Sequence, residues 1–549
     1  MNRLFLCCAI VFFACSARAQ FSGPAADSGA VDLSDPKYVL LDLKGAYRGQ
    51  QLGLSMLPLG DCNHDGYNDF CVTHGFGNKQ YRTDVYLGGK NPSSTPYQTL
   101  INGKATASGD LNNDGRMDLV TWVTYEITDS LWRTVALRIY FGTDTGFDTT
   151  HYVELADSVD FYFGIQTSIS DIDNDGKNEL LVLSGRRQSV YIYKFADTGL
   201  VREPWFVWSA PYVEHIYGGG PYLGVADLNN DSVLDIYYWD MSNNGSAHFR
   251  MFILWGQKAE YPQTDSMLHY ESENLFRANR DGIASGNIFE NNLNNLSLFV
   301  SDFDKRAKIF PIAKKRIEIP FLDTENAEYT LLSPSDVDAT LPYSFEGDAV
   351  LVGNVNGGGE SSIASLVSAY SGPGTTAYTY CIYSAGHALN SRFDGALEVS
   401  ESTEDGPGTP VDIGDIDGDS LHEVALPDLN YERATGRVMI IRGSRDIPHK
   451  PVRVEVGLSR VPNSPEFLET YPNPFTNRTT LRFTVSNDPG ATLSICDELG
   501  RTLIAHSHFS RGPGVYELRL NTESWSAGSY VCRLVERNKV KTIIIHHIH

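Results

Sequence analysis

The sequence predicts an all-β chain, a seven-bladed β-propeller followed by a small β-sandwich, from three observations. An oxygen-rich loop of fixed spacing recurs between residues 61 and 423 and leads each time into a strand-like run. Intact neighbouring copies begin roughly 55 residues apart, the length of four short strands with their turns. From Tyr471 onward the loops stop, and short alternating runs punctuated by Gly500, Gly512, Gly514 and Gly528 take over.

The loop occurs intact five times. Positions 1, 3, 5 and 9 are Asp61, Asn63, Asp65 and Asp69 in the first copy and Asp110, Asn112, Asp114 and Asp118 in the second. They are Asp171, Asp173, Asp175 and Glu179 in the third, Asp227, Asn229, Asp231 and Asp235 in the fourth, and Asp415, Asp417, Asp419 and Glu423 in the last. Calcium takes six to eight oxygens at short range, and alternating Asp/Asn side chains with a bend at position 6 can wrap one centre. Position 7, occupied by Tyr67, Arg116, Lys177, Val233 and Leu421, adds a backbone carbonyl. A helix-loop-helix calcium hand would need Glu at position 12, where this chain has Val72, Thr121, Val182, Tyr238 and Leu426 in strand-like sequence. Ordinary Asp/Asn turns are the plain alternative for one copy, but not for five in one register. About five Ca2+ sites are expected.

The wide interval from Asp227 to Asp415 holds two degenerate units. One is Gly353-Asn354-Val-Asn356-Gly-Gly358-Gly359, which keeps the register without carboxylates and should bind no metal; the other spans Gly286 to Val300. Strand candidates late in the units are Asp84 to Gly88, Leu137 to Gly142, Val190 to Tyr193, Phe252 to Gly256 and Val438 to Ile441. Only a half-unit remains at each end of the repeat array, so the last blade should combine both, a strand near Tyr38 to Leu43 pairing with Val438 to Ile441.

These loops, preceded by Leu52-Gly53-Leu-Ser and Phe163-Gly164-Ile, resemble the FG-GAP, or VCBS-type, repeats of integrin α-subunit propellers and many bacterial surface proteins, over about residues 33 to 445. The resemblance implies calcium in blade loops on one face and ligand binding on the opposite one. Ser232 and Ser420 depart from the family by standing where Gly is usual.

Within the propeller domain, set at 33–443, the fourth unit carries an aromatic segment with Trp205, Trp208, Tyr212, His215 and Tyr217. Its place before the unit's first strand assigns it to the face opposite the loops, as a platform for a glycan or protein ligand. Residues 444–470, with four prolines, read as a linker containing a strand near Val452 to Val456. The remaining 471–549 contain six strand runs. Tyr471-Pro-Asn-Pro-Phe475, Gly500-Arg501, Gly514-Val-Tyr516, Gly528-Ser-Tyr530 and Lys539-Val-Lys541 resemble the type A C-terminal sorting domain of the Bacteroidetes type IX secretion system. That resemblance implies the secretion machinery as a partner and a secreted or outer-surface location reached through the periplasm. His546-His547-Ile-His549 reads as a frayed polar terminus.

Arg3, the apolar run Leu4 to Ala14 and Ala17-Arg18-Ala19 form a secretory signal peptide over 1–19, with acylation of Cys15 as the alternative. Five cysteines follow it, Cys62, Cys71, Cys381, Cys496 and Cys532; Cys62 with Cys71 and Cys496 with Cys532 are candidate pairs, buried thiols the alternative. With 68 acidic against 44 basic side chains the formal charge is −24, which repels nucleic acid. No run is long enough for a transmembrane helix. The chain lacks a Gly-x-Ser-x-Gly elbow, a His-Glu-x-x-His helix and a phosphate-cradling Gly-Lys-Ser/Thr loop, so a non-enzymatic adhesion or ligand-binding role leads. A glycan-active propeller enzyme such as a polysaccharide lyase, or a passive surface protein, is the alternative.

Overall fold

The computed structural model describes residues 31–447, 454–455 and 468–548, broken by segments of which the longer are 126–133, 212–220, 267–282, 287–294, 310–328, 332–342 and 384–393. The expected signal peptide, most of the expected linker, and the loop inside the Gly286 to Val300 unit lie outside the described residues. The chain is all-β; one helical turn, Tyr431–Ala434, is the only helix among the described residues.

Strands Ser55–Gly60, Asp69–Phe76, Gln80–Tyr86 and Gln98–Ile101 form an antiparallel sheet in chain order, with the first oxygen-rich loop joining the first two. The order recurs in the sheets that begin at Lys104–Gly109, Phe163–Ser170, Tyr222–Ala226 and Tyr343–Val352. The last of these gains a parallel fifth strand from Val31–Asp32. Between residues 283 and 331 the described strands form a two-stranded and a three-stranded sheet.

The closing sheet takes three strands, Val411–Gly414, Glu423–Asp428 and Arg437–Ile441, from one end of the array and its fourth, Val39–Lys44, from the other. Its register pairs Val39 with Ile441 and Leu43 with Val438. Asp42 Oδ1 and Oδ2 accept from Arg437 Nε at 2.6 Å and Nη2 at 3.0 Å.

First strands are neighbours in chain order. Ser55–Gly60 lies against Lys104–Gly109, and the series continues through Phe163–Ser170, Tyr222–Ala226, Ile283–Gly286, Tyr343–Val352 and Val411–Gly414, which returns to Ser55–Gly60. Apolar side chains fill the spaces between sheets: Leu137, Ile139 and Leu155 of the second sheet pack with Phe163, Leu180 and Val182 of the third. Second strands are therefore covered on both faces, and Glu179–Ser184 and Glu423–Asp428 are buried along their whole length. That explains their continuous apolar runs where alternation would mark a half-exposed strand. Gly164 has φ +74°, and a Cβ there would stand 2.5 Å from Leu137, so the glycine permits both the left-handed turn and close contact with the preceding sheet.

The C-terminal strands form two four-stranded sheets, in the orders Val454–Glu455, Gly514–Asn521, Arg478–Val485, Leu468–Tyr471 and Thr502–His506, Thr492–Cys496, Gly528–Glu536, Lys539–His547. They share one core that includes Phe475, Leu481, Phe483, Ile495, Trp525, Tyr530 and Ile545. The linker strand thus belongs to this sandwich, through Val454 opposite Leu520.

The C-terminus corrects the expectation of fraying. Lys539–His547 is a continuous strand, His547 is buried against the Phe475 ring, and the Phe475 N–H donates to the His546 carbonyl at 2.9 Å. Asn473 accepts from the His546 N–H at 2.8 Å and donates to the Ile544 carbonyl at 3.1 Å, which gives the Tyr-Pro-Asn-Pro-Phe motif a physical role. Of the two readings of the cysteines, buried thiols hold for Cys62, Cys71 and Cys381, so the Cys62 and Cys71 pair does not form, and burial pushes the Cys71 thiol up to about 12.

Candidate metal centres

Each oxygen-rich loop leaves the first strand of its sheet and returns as the second, so the repeated sheet order gathers the loops at one end of the ring. The hydrogen bonding repeats with the sequence. The position 1 carboxylate accepts two backbone N–H groups: Asp61 from Asp65 at 2.9 Å and Gly66 at 2.8 Å, Asp110 from Asp114 at 3.0 Å and Gly115 at 2.8 Å. Asp171, Asp227 and Asp415 bind the corresponding groups of Asp175 and Gly176, Asp231 and Ser232, and Asp419 and Ser420. The position 5 carboxylate accepts the N–H of position 7, from Tyr67, Arg116, Lys177, Val233 and Leu421. Ser232 and Ser420 both hold φ +70°, so serine keeps the left-handed bend that glycine makes at Gly66, Gly115 and Gly176.

Position 9 is the buried tie. Asp69, Asp118, Glu179, Asp235 and Glu423 are at most 1% exposed. One oxygen of Asp118 accepts from Leu111 N–H at 2.9 Å, and the other from Gly142 N–H, also at 2.9 Å, beyond the third strand's pairing. Asp69 joins Cys62 to Gly88 in the same way, and Glu423 joins Ile416 to Gly443. Burial raises these acids, Asp118 to about 6, Glu179 to about 7 and Glu423 to about 8, because their ionised forms lose water.

Among the described residues, two loops bring three carboxylates close enough to hold a metal ion: Asp171, Asp173 and Glu179, and Asp415, Asp417 and Glu423 have ligand oxygens within 4.8 Å of one another. The Asn-containing loops differ. Asn63 and Asn112 each donate an amide N–H to the position 5 carboxylate, at 3.0 and 3.1 Å, and accept its backbone N–H. Asn229 lies outside the described residues. The donor sets of the first, second and last loops fit a hard cation, all oxygens with the acids uncompensated or only partly compensated. In the third loop an ammonium already stands among the carboxylates, Lys194 Nζ at 2.7 Å from Asp173 and 3.1 Å from Asp175. In the degenerate loop, Asn354 and Asn356 accept from Gly357 and Gly358 N–H, and buried Ser362 takes the place of the position 9 acid.

The aromatic segment does not form the expected platform at its near end. Trp205 sits over Lys194, at 4.4 Å from the ring centroid, on the side of the oxygen-rich loops. Trp208 is half-buried against Tyr238 and Phe252, with ring centroids 5.2 and 5.3 Å away. The physical reason is that Phe206–Ser209 is the outer strand of the third sheet, pairing Phe206 with Ile192 and Trp208 with Val190, so both indoles serve packing. Tyr212, His215 and Tyr217 lie outside the described residues.

Residues 171–238 match the FG-GAP-like repeat family, and residues 469–546 match the secretion system C-terminal sorting domain. The sorting domain indicates export by the type IX secretion system to the cell surface or the medium. No curated protein matches the chain in sequence. Among solved structures, the chain is similar to PorZ, an essential bacterial surface component of the type-IX secretion system of Porphyromonas gingivalis, at 11% identity over 88% of this chain and 69% of that one, with TM-score 0.24. It is also similar to a fructofuranosidase from Schwanniomyces occidentalis complexed with fructose, at 10% identity over 94% and 99% with TM-score 0.29. An exo-inulinase from Aspergillus awamori follows at 9% identity over 92% and 93%, with TM-score 0.25. At these values the likenesses carry no argument about activity. Among the described residues no helix is long and apolar enough to cross a membrane.

Proposed function

We propose that the chain is a calcium-stabilised, seven-bladed propeller that type IX export delivers to the outer surface or the medium, where it binds a glycan or protein ligand as an adhesion module. The observation that carries the calcium reading is the repeated buried acid at position 9, tied by backbone N–H groups at the rim of an oxygen-rich loop, with the carboxylates of positions 1 and 3 within 4.8 Å of it in the third and last loops. A divalent cation supplies the charge that burial withholds from these acids. The seven-blade count is supported by the series of neighbouring first strands, which returns to its start.

Ligand binding is assigned to the end opposite the oxygen-rich loops, where the turns between second and third strands and the connections between sheets lie. In the sequence, Tyr212, His215 and Tyr217 stand between Phe206–Ser209 and Tyr222–Ala226. The test is a glycan and matrix-protein array probed with the purified full chain, in calcium and in chelator. Calcium-dependent capture of one ligand class, lost in the His215→Ala/Tyr217→Ala variant while the melting temperature holds, is expected. Absence of capture under either condition defeats the adhesion reading.

A further inference from the structure

The acid at position 9 opens the second strand of its sheet, and continuing the strand register by one pair sets it opposite one residue in or just past the third strand. Asp69 then faces Leu87, Asp118 faces Phe141, and Asp235 faces Trp255, whereas Glu179 faces Lys194 and Glu423 faces Arg442. The five loops fall into two kinds. Those with Asn at position 3 and Asp at position 9 face an apolar residue; those with Asp at position 3 and Glu at position 9 face a base.

In the third loop that base reaches the centre. Lys194 Nζ lies 2.7 Å from Asp173 Oδ2, 3.1 Å from Asp175 Oδ2 and 3.3 Å from Glu179 Oε1, bridging the side chains of positions 3, 5 and 9. Asp173 and Glu179 side chains are 4% and 1% exposed, and the Trp205 ring covers the ammonium from the other side. An ammonium and a divalent ion repel each other strongly at such range, above all where water is excluded. Arg442 makes the weaker version of this contact, its Nε 2.9 Å from Asp417 Oδ2.

We propose that the third loop carries its own cation: Lys194 takes the place that a divalent ion takes in the Asn-containing loops, so that this blade is closed without calcium. The inference rests on the calcium reading of those other loops. It makes Lys194 and the Asp173/Glu179 pair one device, an acid-rich loop matched by a base just past the end of the adjoining strand, in a single sheet.

The test counts calcium ions bound to the full chain by equilibrium dialysis and records the melt in calcium and in EGTA, for the parent, Lys194→Leu and the double variant Asp173→Asn/Lys194→Leu. The double variant recreates the Asn63 and Leu87 pair of the first unit, and so guards against a single variant that fails to fold. Each should bind one calcium more than the parent; Lys194→Leu should also melt several degrees lower in EGTA and recover with calcium. If the count is unchanged, and Asp175→Ala in the parent background removes one ion, the third loop already holds calcium and the proposal is overturned. If no form binds calcium, the calcium reading of the other loops fails instead. The lysine is then judged by the EGTA melt alone, where an unaltered Lys194→Leu melt overturns it and a lowered one upholds it.

Discussion

Replacing Asp118 by Ala separates two roles of the buried acid, hydrogen-bond tie and metal ligand. Its oxygens accept from Leu111 N–H and Gly142 N–H at 2.9 Å each, with a longer contact to Asn112 N–H at 3.3 Å. Truncation strands the first two donors, at about 1–3 kcal/mol apiece, so the lost ties are worth about 4 kcal/mol. Against this stands the charge. Burial lifts Asp118 from its ordinary 3.8 to about 6, which makes the ionised form about 3 kcal/mol less favourable than in water at neutral pH. Without a cation the substitution also relieves that penalty, so the loss is expected to be smaller than with calcium bound. With calcium bound the penalty is already compensated, and the full loss of about 4 kcal/mol is expected. Urea unfolding followed by tryptophan fluorescence, in excess calcium and in EGTA, measures both. Equal losses in the two conditions would show that no cation meets this acid; no loss in either would refute the hydrogen-bond accounting itself.

Other outcomes are expected together. Exhaustive chelation should lower the melting temperature of the parent chain, and calcium should restore it by mass action; an unchanged melt removes the structural cation. Gly115→Ala has open space for its methyl group but must hold φ +85°, so it should cost about 1–2 kcal/mol by chemical denaturation, and a neutral result would deny the left-handed bend. Asp42→Asn should weaken the closing sheet by about 1 kcal/mol at neutral pH. Burial acts upward on Asp42, but Arg437 and Lys44 hold its carboxyl below 3.8, so this contribution is present above that value and should fade as pH falls below it, in a pH series of unfolding midpoints. Trp208→Ala, which removes packing against Tyr238 and Phe252, should cost about 3 kcal/mol; a loss of ligand capture with no loss of stability would return Trp208 to the binding face.

The repeat was legible because its chemistry lies within nine residues. Asp110 to Asp118 names its own turn, its oxygen-bearing side chains and the strand that follows, and the hydrogen bonds reproduce that order. Closure was legible too: strands expected near Tyr38 to Leu43 and Val438 to Ile441 pair as Val39–Lys44 with Arg437–Ile441, because half-units at both ends leave one blade to share. What sequence reading missed depends on neighbours across a sheet. Lys194 stands well beyond Glu179 in the chain, and only the strand register brings it to the loop; the contrast of Leu87, Phe141 and Trp255 with Lys194 and Arg442 was the available signal. The packing of Trp205 and Trp208 is hidden for the same reason, since an aromatic run looks alike whether it caps a face or fills the space between blades. The C-terminal histidines read as a frayed end because nothing local shows that Asn473 and Phe475 hold them.

The closing sheet also decides how the ring meets force. The chain leaves it from Arg437–Ile441, a strand flanked on one side by Glu423–Asp428 and on the other by Val39–Lys44, and runs on toward the sorting domain. A pull on that domain directed along this strand loads it on its own axis. Two ladders of hydrogen bonds then resist together in shear and cannot open one rung at a time, which raises the barrier that governs forced unfolding. Had the ring been closed by its final strand at an exposed edge, the same pull would have peeled it.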